Sequence, residues 1–225
     1  PLSDGNYDIA NLNRLFLTGF VEEMYANCPQ SVGDIDGDGK DDLLIGARPV
    51  DIYAAGKAYL VLGSSINSDG TIDLSEADYT FLPEEPDTAF GWAMAGAGDV
   101  DGDGLDDLIF GDSGAGVGGK VYLFYGASLG NEPIIDLGDA DTIFVGPQGS
   151  EYVGHRVSYA GDIDGDGHDD ILIGTLPTFE PGAYIFLQST IYDGVIDINA
   201  ADFIFPDNTK TIAPAGDVDG DGLDD

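Results

Sequence analysis

Apolar residues along this chain come in short runs boxed in by glycine. Leu43–Ile45, Leu108–Phe110 and Ile171–Ile173 are three of them. They are too short for helices and are bounded as buried strands are. A second set alternates. In GKAYLVLG from Gly56, Tyr59 and Val61 fall on one face and Leu60 and Leu62 on the other, which is the period of a strand. GKVYLFYG from Gly119 and GAYIFLQ from Gly182 repeat the pattern. No stretch has a helical period, and 34 glycines with 11 prolines interrupt any long helix. The pattern predicts an all-β fold.

These runs belong to an internal repeat. GDIDGDGKDDLLIG from Gly33 returns as GDVDGDGLDDLIFG from Gly98 and GDIDGDGHDDILIG from Gly161, and GDVDGDGLDD from Gly216 reaches the last residue. The first Asp of each string lies at 34, 99, 162 and 217, so the spacings are 65, 63 and 55. Later in each repeat comes a turn and an Ile-Asp segment: SDGTIDLSEADYTF from Ser68, EPIIDLGDADTIF from Glu132 and YDGVIDINAADFIF from Tyr192, with SDGNYDIANLNRLF from Ser3 as a further copy. Each repeat has room for about four short strands, the content of a propeller blade. The sequence divides into a single array of units at 1–66, 67–128, 129–190 and 191–225.

Within each string, Asp occupies positions one, three, five and nine, with Gly at six. The sets are Asp34, Asp36, Asp38 and Asp42; Asp99, Asp101, Asp103 and Asp107; Asp162, Asp164, Asp166 and Asp170; and Asp217, Asp219, Asp221 and Asp225. Alternate spacing in a tight loop turns carboxylates toward one centre, and crowded carboxylates repel unless a cation lies between them. Many oxygen donors on a flexible loop suit Ca²⁺ better than Mg²⁺, so about four Ca²⁺ sites are expected. Position seven is Lys40, Leu105, His168 and Leu223. The lack of shared side-chain chemistry there fits a ligand supplied by the main-chain carbonyl. The acid at position eight (Asp41, Asp106, Asp169, Asp224) is expected to point away from the metal, toward the surrounding shell or solvent. The string is not an EF-hand loop, which ends in a Glu at its twelfth position between helices.

Composition narrows the function. With 43 Asp and Glu against 7 Lys and Arg, the formal net charge is -36. Such a chain is repelled by nucleic acid and by anionic membranes. No apolar run approaches the roughly 20 residues that cross a bilayer. The start at Pro1 suggests a processed or excerpted piece of a longer protein. Cys28 is the only cysteine, so no intrachain disulfide forms, and it is expected to act as a small buried apolar residue.

FGWAMAGAGDVDGDGLDDLIFG, from Phe90 to Gly111, resembles the FG-GAP repeat, the blade unit of integrin α-subunit β-propellers and of many bacterial surface proteins. The resemblance implies Ca²⁺-binding propeller blades of about four antiparallel strands, with metal sites in β-hairpin loops and ligands on the Asp positions above. The Phe-Gly pair at Phe90-Gly91 becomes Val153-Gly154, Tyr25-Ala26 and Asn208-Thr209 elsewhere. The later Gly-Ala-Pro is approximated by GARP from Gly46 and replaced by GDSG from Gly111.

Two motifs invite catalytic readings and fail them. GDSG from Gly111 resembles a trypsin-like nucleophile segment, but both histidines, His155 and His168, follow it in the chain, the wrong order for that family. GAGVGGK from Gly114 has phosphate-loop spacing, but Val121 stands where Ser or Thr is needed; it reads as a hairpin turn. His168 is expected to be exposed, His155 structural and Trp92 part of the core. Asp8, Asp73, Asp136 and Asp197 are expected to serve a shared turn or blade contact.

No recurring polar column is left over for catalysis. The expected function is a non-enzymatic, Ca²⁺-stabilised extracellular or cell-surface module for adhesion or for assembly of a surface structure. Its expected partners are other copies or flanking blades, with a protein or glycan ligand possible, and neither nucleic acid nor membrane insertion. The alternative is a binding appendage of a larger secreted hydrolase or lyase. Closed propellers need about 4 to 8 blades, so the intact protein is expected to be a larger propeller, with a head-to-tail filament as the alternative arrangement.

Overall fold

The computed structural model describes residues 16–18, 24–26, 29–49, 56–66, 71–85, 88, 90–147, 152–176, 182–206 and 212–225. Cys28 and Asp8 lie outside them. The described residues contain no α-helix; short 3₁₀ turns are the only helical elements. In chain order the strands are β1 (Phe16–Thr18), β2 (Met24–Ala26), β3 (Gln30–Ser31), β4 (Leu43–Pro49), β5 (Lys57–Val61), β6 (Thr71–Asp73), β7 (Tyr79–Leu82), β8 (Ala93–Gly98), β9 (Asp107–Asp112), β10 (Lys120–Phe124), β11 (Ile134–Asp136), β12 (Thr142–Val145), β13 (Arg156–Gly161), β14 (Asp170–Gly174), β15 (Ala183–Phe186), β16 (Gly194–Asp197) and β17 (Phe203–Phe205).

Three sheets share one plan. An inner strand (β2 with β3, β8 or β13) runs antiparallel to the strand that follows an acidic string (β4, β9 or β14). Next come β5, β10 or β15, and then the outer β7, β12 or β17. The acidic strings are the hairpin loops between the first two strands of each sheet. A fifth strand joins the outer edge in parallel and comes from the next repeat: β11 lies beside β7, β16 beside β12, and β6 pairs with β1 in the same sense. The sheets therefore run 24–82, 93–145 and 156–205, offset from the units drawn on the sequence. The outer strand Tyr79–Leu82 pairs with β5 of the first sheet, because its apolar side chains face that sheet's core and not the string downstream.

Alternation along each strand builds the core. Leu44, Ala58, Leu60 and Phe81 of the first sheet meet Met94, Leu108, Phe110, Tyr122 and Phe124 of the second. The opposite face of the second sheet presents Ile109, Val121, Leu123 and Phe144 to Ile171, Ile173, Tyr184 and Phe186 of the third. Tyr59 and Val61 face away from Leu60, into a cluster with Leu43, Ile45, Ile72 and Leu74, as the alternation predicted. The sheets stack face to face like successive propeller blades. Their inner strands line a cavity of about 450 Å³ with Gln30, Ser31, Ala95, Gly96, Ser158 and Tyr159 on its wall. Phe81 and Phe110 rings lie 4.6 Å apart across the first interface, and Phe124 meets both edge-on.

Trp92 departs from its expected place in the core. It is 47% exposed, and the Arg48 guanidinium sits 5.1 Å from its ring. Phe90, two residues earlier, fills the core, and Gly91 between them, at φ 85°, turns the chain so that the two side chains part, one inward and one outward. The Gly-rich loop after GDSG is a hairpin turn between β9 and β10, where Asp112 Oδ1 accepts from Gly114 N at 3.2 Å. Phe110→Ala should empty the centre of the first interface and cost about 3–5 kcal/mol. The check is the urea midpoint, which falls while the slope is retained; an unchanged midpoint would contradict this packing.

Candidate metal centres

Each string folds around its first aspartate. Asp34 Oδ1 accepts from Gly37 N at 2.9 Å and Asp38 N at 3.0 Å, and its Oδ2 accepts from Gly39 N at 2.8 Å. Asp162 and Asp217 repeat all three bonds. Asp99 accepts from Gly102 N and Gly104 N at 2.8 and 3.0 Å. Glycine at position six makes this wrapping possible: Gly39, Gly104, Gly167 and Gly222 all have φ between 83 and 95°, where a side chain is strained.

The ninth residue ties the loop to the sheet. Asp42 is fully buried; its Oδ2 accepts from Ile35 N at 2.9 Å and its Oδ1 from Gly63 N at 2.7 Å, beyond the end of β5. Asp107 holds Val100 N and Gly126 N in the same way, and Asp170 holds Ile163 N and Gln188 N. Burial pushes the Asp42 and Asp107 carboxyls up to about 7 and Asp170 up to about 6. The N–H donors pull these values back, and the neighbouring string carboxylates add to the rise.

The structure brings three of the predicted carboxylates together in every copy. Oxygens of Asp34, Asp36 and Asp42 all lie within 4.8 Å of one another, as do those of Asp99, Asp101 and Asp107, of Asp162, Asp164 and Asp170, and of Asp217, Asp219 and Asp225. Three hard oxygen donors, one of them desolvated in the first three sets, form a donor set that suits a divalent cation. The aspartates at position five stand outside these triads: Asp38, Asp103, Asp166 and Asp221 each accept from the amide two residues on, at 2.8 to 2.9 Å. Asp38 also pairs with Lys40 Nζ at 2.9 Å.

Position eight stands outside its own triad and bonds the main chain of the preceding loop. Asp106 Oδ2 accepts from Asp34 N at 2.8 Å, Asp169 Oδ2 from Asp99 N at 2.9 Å, and Asp224 Oδ2 from Asp162 N at 3.0 Å. Each reaches the preceding repeat. Position seven is likewise an inter-repeat contact, and His168 is half-buried where exposure was expected. A Cβ added at Gly102 would lie 2.1 Å from the His168 ring, so the ring covers the preceding loop.

Two further aspartate columns are structural. Asp73, Asp136 and Asp197 cap 3₁₀ turns by accepting from Ser75, Gly138 and Asn199 amides, the shared turn that was expected. Asp78, Asp141 and Asp202 were not singled out from the sequence. They accept from Leu62, Tyr125 and Leu187 amides and from Ser65, Ser128 and Thr190 hydroxyls. The recurring Ala-Asp before each outer strand is the signal that marks them.

Residues 31–61, which hold the first string and its hairpin, match the family model described as FG-GAP repeat. The chain is 33% identical over 152 residues to integrin alpha-PS5 of Drosophila melanogaster, a match covering 67% of this chain and 14% of that protein. It is 28% identical over 202 residues to integrin alpha-4 of Xenopus laevis, covering 82% of the chain and 19% of the relative. It is 29% identical over 151 residues to human integrin alpha-7, covering 65% and 12%. The chain belongs to the integrin α-like FG-GAP family. This FG-GAP chain spans 12 to 19% of the length of these relatives.

The raised carboxyls set a pH dependence. With a folded value near 7 against an ordinary 3.8, the folded state binds more protons than the unfolded state between those limits. Its stability therefore increases as pH falls through about 7 toward 4. In EDTA the melting temperature should be higher at pH 5.5 than at pH 7.5. Asp107→Asn should flatten part of that slope; a metal-free chain that loses stability on acidification over this range would contradict the assignment.

Proposed function

We propose that the FG-GAP chain is a non-enzymatic, Ca²⁺-stabilised extracellular module for adhesion or for assembly of a surface structure. The observation that carries the reading is the fourfold recurrence of three aspartate oxygens within 4.8 Å, each set on the same acidic string. The metal ligands would be the string aspartates at positions one, three, five and nine, with the carbonyls of Lys40, Leu105, His168 and Leu223. Four divalent ions would offset about 8 of the 36 excess negative charges.

Kinship with integrin α-subunits supports the adhesion reading. Calcium outside cells is abundant enough to fill weak loops of this kind, and resting cytosol is not. Residues 1–225 form one continuous array within a larger propeller, and the partners are flanking blades, other copies, or a protein or glycan ligand. No helix among the described residues is long and apolar enough to cross a membrane.

Calcium should stabilise by mass action. One site at a hundredfold excess over its dissociation constant adds about 2.7 kcal/mol, which raises the melting temperature by about 5–10 °C for a chain of this size. Differential scanning calorimetry in EDTA, Mg²⁺ and Ca²⁺ is the test. The expected order is Ca²⁺ highest, Mg²⁺ close to EDTA; identical melting in all three would defeat the proposal.

A further inference from the structure

The acid at position eight is repeated in every string, yet it belongs to none of the carboxylate triads. Its geometry explains why it recurs. The Asp169 carboxylate accepts from Asp99 N at 2.9 Å, and the Asp169 amide donates to the Asp99 carbonyl at 3.1 Å. One residue thus grips both main-chain polar groups of the first triad aspartate in the preceding loop. Asp106 holds Asp34 in the same two ways, and Asp224 holds Asp162.

Two further contacts make the grip close. A Cβ added at Gly33, Gly98 or Gly161, just before each first aspartate, would lie 2.0 to 2.2 Å from the gripping Oδ2. Only glycine leaves room for that carboxylate. At position seven, Leu105, His168 and Leu223 press on Gly37, Gly102 and Gly165 of the preceding loop, with an added Cβ 2.1 to 2.9 Å from them. Meanwhile position nine, next in sequence, is a triad member of its own loop. The residues at seven, eight and nine therefore join two triads through three adjacent peptide units.

We infer that Asp106, Asp169 and Asp224 are positioning residues for the metal loops at 34–42, 99–107 and 162–170, so that each loop's cation affinity is set by the repeat that follows it. The inference rests on the reading of the triads as metal sites. Holding the main chain of Asp99 fixes where its carboxylate is presented, and a ligand set already in place loses less freedom when the ion arrives. Coupling of this kind is reciprocal, so loading one loop favours loading of its neighbour. Asp41, at the same position of the first string, accepts instead from Ser31 Oγ at 3.2 Å.

The test is a Ca²⁺ titration of the full chain followed by ¹⁵N NMR, reading Gly102 and Gly104 for loop 99–107 and Gly165 and Gly167 for loop 162–170. In Asp169→Ala, half-saturation of loop 99–107 should rise by at least about fivefold, the lower end of ordinary coupling between sites, with loop 162–170 shifted far less. Asp169→Asn loses the same charge but keeps an acceptor oxygen, and it should restore loop 99–107. Asp224→Ala, in the exposed last string, should weaken loop 162–170 and leave loop 99–107 alone, which keeps the test readable if Asp169→Ala does not fold. Equal loss at both loops in the Ala and Asn variants would reduce the effect to charge and overturn the inference. So would an unchanged preceding loop. If no loop of the unsubstituted chain saturates with Ca²⁺, the metal reading itself falls, and that outcome is distinct from the other two.

Discussion

Each blade is organised around a carboxylate that water does not reach. Asp42, Asp107 and Asp170 are fully buried, and each accepts N–H donors from two separate segments, the start of its own loop and the turn after the third strand. Asparagine could not replace this arrangement, because its amide nitrogen would face one of those N–H groups. Yet two neutral donors do not compensate an anion crowded by two others, and the carboxyl rises toward neutrality. The structural need for an acceptor on both oxygens and the electrostatic cost of the charge pull in opposite directions. A divalent cation at the triad, as proposed above, would offset that charge.

The same logic accounts for the extreme composition. Only 7 Lys and Arg are present against 43 acids, so side-chain ion pairs cannot balance the charge. Backbone amides take that role. The string aspartates, the turn-capping Asp73, Asp136 and Asp197, and the Asp78, Asp141 and Asp202 column all accept main-chain N–H groups. Short hairpins and 3₁₀ turns leave many amides without ladder partners, and carboxylates satisfy them at the loop ends. The acidity of this chain is thus in large part a feature of its turn chemistry.

Period two was legible because burial acts on each strand locally: Leu60 opposite Tyr59 and Val61 is readable from eight residues. So were the hairpin loops, which recur with their spacing intact; that positions one, three and nine draw together apart from five was not. What pairs with what across repeats was not legible. The parallel neighbours β11 on β7 and β16 on β12 lie in register, but alternation specifies a face and not a partner. His168 and Trp92 were misplaced for related reasons. His168 sits in a loop whose other side is covered by the preceding repeat, and Trp92 follows a turn at Gly91 that carries it away from the inward Phe90.

Repeat arrays draw their stability from contacts between neighbours, and here two kinds of contact can be separated. Sheet faces stack through Phe81, Phe110 and Phe124, and through Phe144 and Phe186 at 4.7 Å. Loops join through position eight. From Thr142 to Asp162 the chain advances 20 residues, and β13 lies between; from Phe203 to Asp217 it advances only 14, and no strand is assigned among residues 212–216. Even so, Asp224 keeps both bonds to Asp162, at 3.0 and 3.1 Å. The string-to-string grip is thus the same in all three pairs of successive strings, a second contact between repeats beside the stacked sheet faces.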